Sequence, residues 1–283
     1  MTESKRVKDF RLGLAKQIPK FPNNRASLRV LQAKALGPLL IDYVNWAIRC
    51  VAPRPRTVKP EPSATSDTRW HSLRTDIQAL LAKVERGDDL TPHVSPKSRT
   101  RGFTPAASGT GPDVDRWADK DMLLNVMGYH HFHFDAAPHN HMRSDDVVFA
   151  HVTRDTFTVV GIFNHTVFGP LDARKPMTAE RNRLWQIFDH RTARAAPAGS
   201  TIVLSPIALS GHSIYFVNLA KNYARVINRV DPKLDDPNYV RNLYRQADLP
   251  VPAKPKLRWH LHHLDLGLLD KENRFFLLWP GPN

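Results

Sequence analysis

The chain has 283 residues, 41% hydrophobic and 24% charged, which suits one large or two ordinary globular domains and excludes wholesale disorder. No run of about 18 apolar residues occurs, excluding a membrane-spanning helix, and the single cysteine, Cys50, excludes an internal disulfide or a multi-cysteine zinc site. The net charge of +14 is uneven: residues 1–60 hold 13 Lys or Arg against 3 acids, whereas residues 105–283 hold 21 against 18.

Met1-Thr2-Glu3-Ser4-Lys5-Arg6 has no apolar stretch behind it, so no secretory signal is expected and the cytoplasm is the expected compartment. Residues 1–24 read as a basic arm without clear periodicity. Lys5, Arg6, Lys8, Arg11, Lys16 and Lys20 are its candidate nucleic-acid contacts, because clustered cations release counterions when they neutralise phosphates. The same excess suits a solubilising arm or a face for an acidic protein. From Arg25, Leu28, Leu31 and Ala35 mark a helical face that Gly37-Pro38 breaks. Pro38 then suits the first turn of a second helix bearing Leu39, Leu40, Tyr43, Val44 and Ala47.

The prolines of residues 52–66 predict an extended connector without regular secondary structure. Arg54, Arg56 and Lys59 would point outward from it, the two arginines as further nucleic-acid contacts. Trp70, Leu73, Ile77, Leu80, Leu81 and Val84 follow one face of a single amphipathic helix closed by Gly87. Residues 25–90 are thus a helical region, and the Pro-, Ser-, Thr- and Gly-rich residues 91–112 read as a linker and domain boundary.

Residues 113–283 read as a second domain, giving the chain an α+β class with a central antiparallel sheet flanked by helices. A helix over 115–127, with Trp117, Leu124 and Met127 inward, ends at Gly128. Strands follow at Tyr129–Phe134, Asp146–Thr153 and Phe157–His165, the last two separated by Arg154-Asp155 at hairpin spacing. Thr178 caps a short helix through Phe188, residues 200–209 suggest a strand, and helices are expected at 212–230 and after Asp236-Pro237. Residues 257–264 and 274–279 read as a closing hairpin. In its first strand Arg258, His260 and His262 form the exposed face.

Seven of the fourteen histidines fall between 130 and 165. Strand alternation places His131 and His133 on one face, with Phe132 and Phe134 on the other. His165 ends the third strand and Arg143 precedes the second, so both can approach that face. Two imidazoles and an arginine suit metal-independent RNA cleavage. One imidazole takes the 2′-OH proton, a second protonates the leaving 5′-oxygen, and the guanidinium stabilises the phosphorane. Imidazole titrates close enough to neutrality for both forms to be present. The rival chemistry is a zinc or other transition-metal site built from His131, His133, His139 and His141 with Asp135, Asp145 or Asp146. A third reading makes the histidines structural and the protein a non-catalytic nucleic-acid binder. Ser210-Gly211-His212-Ser213 lacks the nucleophile-elbow spacing and reads as a helix start.

The helix followed by His131-Phe132-His133, the run from Arg143 to Thr153, and Phe157 to His165 resembles the core of bacterial ribonuclease toxins of the RelE/ParE type and their barnase-like relatives. The resemblance covers about residues 115–166. It implies an endoribonuclease of toxin or defence type acting without a cofactor, with His131, His133, Arg143 and His165 as RNA-cleaving residues. It further implies RNA as partner and an acidic inhibitory protein.

Overall fold

Ser4 begins the first helix: its Oγ accepts the Val7 N–H at 3.2 Å, and α1 spans Lys5–Gln17. The computed structural model describes residues 3–105, 119–134, 145–169, 176–195, 197 and 207–283. In chain order α1 is followed by α2 (Arg25–Ala33), α3 (Leu36–Ala47), β1 (Thr57–Pro60), α4 (Pro62–Thr65), α5 (Thr68–Ser72) and α6 (Arg74–Arg86). Then come α7 (Lys97–Thr100), α8 (Met122–Met127), β2 (Tyr129–His133), β3 (Asp146–Val152), β4 (Thr156–Asn164) and α9 (Ala179–Ala195). The chain closes with α10 (Ile214–Val230), α11 (Pro237–Gln246), β5 (Arg258–His262), β6 (Asp265–Leu269) and β7 (Phe275–Trp279). This is an α+β protein, and no helix among the described residues is long and apolar enough to cross a membrane.

The chain forms two compact units, each made of separate segments. The first takes residues 1–48, 97–120 and 208–282, and the second takes residues 49–96 and 121–207 with Asn283. The expected serial order of arm, helical region, linker and domain is therefore replaced by an interleaved one. The start of the expected linker carries a 3-10 turn at Thr91–His93, and residues from 97 onward return to the first unit. There Trp46 Nε1 donates to the Ser98 carbonyl at 2.8 Å, and the Phe21 N–H donates to Phe103 O at 2.8 Å.

In the first unit α1 is no loose arm. Val7, Phe10 and Leu14 share one helical face and are buried, each side chain contributing about 1.5–3 kcal/mol from apolar burial. Helix α3 buries Leu39, Leu40, Tyr43 and Val44, and α10 packs on it with Phe216, Ala220, Tyr223 and Ile227. Asp231, just past α10, accepts from Trp259 Nε1 at 2.8 Å and from Arg6 Nε at 3.2 Å. The expected closing hairpin is a three-stranded antiparallel sheet in the order β5-β6-β7. The extra strand β6 follows a tight turn in which His263 takes φ 53°, and Gly267 at its centre lies where a Cβ would stand 2.2 Å from Phe276 O.

The second unit is a four-stranded sheet in the order β1-β4-β3-β2, antiparallel except for β1, which pairs parallel with β4. Residues 52–66 thus contain a strand and a short helix; Pro60 is tolerated because β1 is an edge with one neighbour. One sheet face, with Phe132, Val148, Ala150 and Phe157, packs on Leu80 and Val84 of α6. The other, with Tyr129, Val147, Phe149 and Phe163, packs on Leu123 and Met127 of α8 and Leu184 and Phe188 of α9. The single helix expected from Trp70 breaks at Leu73 into α5 and α6, and α6 ends at Gly87 with φ 77°. Of the expected 115–127 helix, Met122–Met127 is helical, Asp119 to Asp121 are not, and 115–118 lie outside the described residues. Thr178 Oγ1 caps α9 at the Arg181 N–H as expected, though the helix is longer, reaching Ala195. Most of the expected 200–209 strand lies outside the described residues.

Candidate functional site

Along β2 the side chains alternate, and the two faces receive different chemistry. Phe132 enters the α6-side core, while His131 turns to the other face, 5.8 Å from the Phe149 ring. His133 lies on the same face as His131, their ring centroids 6.1 Å apart. In the meander, Val147 pairs with His133 and Asp146 with Asn164. That register brings the end of β2, the start of β3 and the end of β4 to one end of the sheet.

His165 follows β4 immediately, as the first residue of a 3-10 turn capped by Asn164 Oδ1 on the Thr166 N–H at 3.0 Å. Its ring stacks on His133 with centroids 5.2 Å apart and planes at 29°. Phe168, one turn later, touches both outer rings, 4.8 Å from His131 and 5.7 Å from His165. Three imidazoles and a phenylalanine therefore converge on one patch. They are graded in depth: the side chains of His131 and His165 are 14% and 41% exposed, and His133 as a residue 4%.

The His165 and His131 rings have oxygen neighbours, and His133 is tied through its backbone carbonyl. His165 Nδ1–H donates to the Asp145 carbonyl at 2.6 Å, with the Asp145 carboxylate 3.4 Å away. That contact orients the ring and directs Nε2 to other partners. His131 Nδ1 lies 3.7 Å from Asp121 Oδ2. The His133 carbonyl accepts from His93 Nδ1–H at 2.8 Å, and His93 Nε2 accepts from Lys83 Nζ at 3.0 Å. That ladder fixes the His93 tautomer and pins the end of β2 from beneath.

Beside the patch, Asp146 belongs to an ionic network, 3.6 Å from Arg69. Arg69 also pairs with Asp67 at 2.9 Å and Glu180 at 3.2 Å, and Arg183 meets Asp67 at 2.8 Å. Burial works against the charge of Arg69, but its bonds to Asp67 and Glu180 outweigh this and hold its pKa above the normal value. The network ties α5 and α9 to this end of the sheet.

His131, His133 and His165 are thus brought together, whereas Arg143, His139, His141 and Asp135 lie outside the described residues. Among the described residues no group of three or more His, Cys, Asp or Glu is arranged to hold a metal ion. His130 faces the opposite side, stacked 6.2 Å from Phe132, and His151 pairs with Tyr129 at the far end of β2. The sequence reading passed over Phe168, His93 and Asp121. Phe168 stands three residues after His165 and was legible as a local neighbour, while His93 and Asp121 meet the site only through the fold.

The expected nucleic-acid contacts divide. Lys5, Lys8 and Lys16 are exposed and fall on the side of α1 opposite Phe10 and Leu14. Arg6 instead pairs with Asp231 and Asp235, and Arg11 with Glu3 and the carbonyls of Gln32 and Lys34. Lys20 folds back on Ile18 O at 3.0 Å. Arg56 is buried, donating to Thr153 O and Ala52 O at 2.9 Å, and burial lowers its pKa to about 10. Arg54 is half-buried beside it. Arg6, Arg11, Lys20 and Arg56 are structural ties rather than an outward phosphate surface, because each finds an internal acceptor.

No family model, curated protein or solved structure matches this chain.

Proposed function

We propose that the imidazole patch of the second unit cleaves RNA without a metal ion. The observation that carries this reading is the convergence of His131 and His133 of β2 with His165 of the turn after β4 at one end of the sheet. His165, outermost and oriented by Asp145, is the group that takes the 2′-hydroxyl proton. The 2′-oxygen attacks the adjacent phosphorus and the 5′-oxygen leaves with a proton from a second imidazole, His131 or His133. The products are a 2′,3′-cyclic phosphate and a 5′-hydroxyl. Arg143 takes the phosphorane charge in this scheme. Arg143 falls in sequence between β2, which ends at His133, and β3, which begins at Asp146, and both of those strand ends are at the patch.

The resemblance to RelE/ParE-type toxins calls for an antiparallel meander such as β2–β3–β4, and the proposal takes from it a toxin or defence role in the cytoplasm and an acidic inhibitory partner. Exposed Lys5, Lys8 and Lys16 supply the electrostatic attraction to RNA. The deciding experiment incubates the purified protein with RNA in excess chelator and analyses the ends. Cyclic phosphate ends that disappear in His165→Ala and His133→Ala support the reading. Cleavage that needs added divalent metal moves the chemistry to a metal site, and binding with no cleavage leaves a nucleic-acid-binding protein.

A further inference from the structure

In the second unit, a groove of about 440 Å³ lies between α9 and the segment joining β1 to α4. That volume is in the range of small-molecule sites. Its polar lining is strongly basic: Arg183, Arg191, Arg194 and His190 against the single carboxylate of Glu61. Pro62 and Ile187 add an apolar wall.

Glu61 is used in an unusual way. It is the N-cap of α4, yet its side chain makes no capping bond. It turns into the groove instead, one carboxylate oxygen on Arg191 Nη1 and the other on Arg194 Nη2, the latter at 3.3 Å. Two guanidiniums on two oxygens of one oxyanion, trigonal in a carboxylate and tetrahedral in a phosphate, is an arrangement in which arginines grip phosphate. The two arginines differ in freedom. Arg191 is steadied 5.7 Å from the Tyr129 ring, while the Arg194 side chain is 54% exposed and able to swing. Arg183 is held at the groove wall by Asp67 and the Ile162 carbonyl, over the Phe163 ring at 4.1 Å.

We propose that this groove binds a phosphorylated ligand of mononucleotide size, whose phosphate displaces the Glu61 carboxylate from Arg191 and Arg194 while its base or sugar lies on Pro62 and Ile187. The site is separate from the imidazole chemistry and stands without it. Glu61 acts as a built-in competitor that keeps the arginines ordered when the groove is empty of ligand and lowers affinity by its own bond energy.

The test is calorimetric titration of the full chain with ADP, adenosine and pyrophosphate. ADP is expected to bind, and adenosine, lacking the anion, is not. Glu61→Gln removes the competitor and should tighten ADP binding by about tenfold, while the Arg191→Gln/Arg194→Gln pair should weaken it by about tenfold or more. If that pair disturbs folding, Arg194→Gln alone, at an exposed position, should weaken ADP at an unchanged melting temperature. A spectroscopic readout comes from His151, whose pKa burial lowers first and the Arg191 charge second, while the Glu61 carboxylate raises it. Exchange of Glu61 for phosphate on Arg191 should therefore shift the His151 titration in NMR spectra, and Arg191→Gln should abolish that response to ligand. Absence of ADP binding at millimolar concentration, or binding indifferent to the arginine variants, overturns the proposal. Pyrophosphate binding as tightly as ADP overturns the mononucleotide assignment, and so does an oligonucleotide that needs these arginines where ADP does not bind. His165→Ala should leave ADP binding unchanged, which separates a failure of this site from a failure of the cleavage reading.

Discussion

His212 in the first unit and His165 in the second each have a hydroxyl or carbonyl on one side and an aspartate within reach. His212 Nδ1 lies 2.9 Å from Ser210 Oγ, and its Nε2 lies 3.7 Å from Asp42 Oδ1, the outline of a serine hydrolase triad. Its surroundings undo that outline. His212 is 8% exposed, and burial first, then the charges of Lys120 and Lys34, push its pKa down to about 3. Asp42 is occupied by Lys34 at 2.5 Å, and burial nevertheless raises its pKa. An imidazole so reluctant to take a proton is a poor general base. His165 is 41% exposed at its side chain and beside an aspartate, with no cation among the described residues paired to that aspartate. The comparison teaches that adjacency of a histidine to an acid says little until solvent access and neighbouring cations are counted.

The largest effect expected from this contrast is catalytic. His165→Ala should lower RNA cleavage by about 100-fold or more, and His212→Ala should leave it within about twofold, measured as initial rates of cyclic phosphate formation. Equal losses in both variants would break the comparison.

The next effect is on stability. The folded pKa of His212 lies below that of the unfolded chain, so the unfolded state binds more protons between them. His212 therefore favours the folded state above about pH 6.5, and that contribution is lost as pH falls toward 3. Asp42 acts in the opposite sense, its raised pKa favouring the folded state in acid. Denaturant titrations at pH 7 and pH 4 should show wild type losing on the order of 2 kcal/mol more than His212→Asn. Equal losses would show that His212 is not held neutral.

Smallest is the effect on RNA binding by α1. Replacing Lys5, Lys8 and Lys16 with Gln should flatten the slope of log K against log salt by about 2, at roughly 0.7 per contact with single strands. Arg6→Gln should leave that slope unchanged and cost about 1–2 kcal/mol of stability, because it breaks the tie to Asp231. A salt slope that responds to Arg6 rather than to the lysines would reverse the assignment of α1.

Much of the site was legible. Alternation along Tyr129–His133 put His131 and His133 on one face, and the two-residue spacing at Arg154-Asp155 returned β4 beside β3, so His165 had to end near the start of β3. Helix signals held where a breaker and an apolar period agreed, as at Gly128 and Asp236-Pro237, whereas the break expected at Gly37-Pro38 falls at Lys34-Ala35, with Pro38 in the first turn of α3. They failed at α1, where five interspersed cations obscured the spacing of Val7, Phe10 and Leu14. They failed again at β1, because four residues with a terminal proline become a strand only when β4 offers an edge. Composition alone treated every cation as outward, yet Arg56 and Arg6 were drawn inward by carbonyls and carboxylates far along the chain.

Local sequence by itself determined the α+β class, several helix ends and the side of β2 on which the imidazoles stand, since these depend on periodicity and on the backbone preferences of glycine and proline. Only the tertiary structure decided which histidine is exposed, which cation is spent on an internal partner, and that Glu61 sits between two arginines. Those outcomes depend on desolvation and on charges distant in sequence, and neither quantity is carried by any short stretch of the chain.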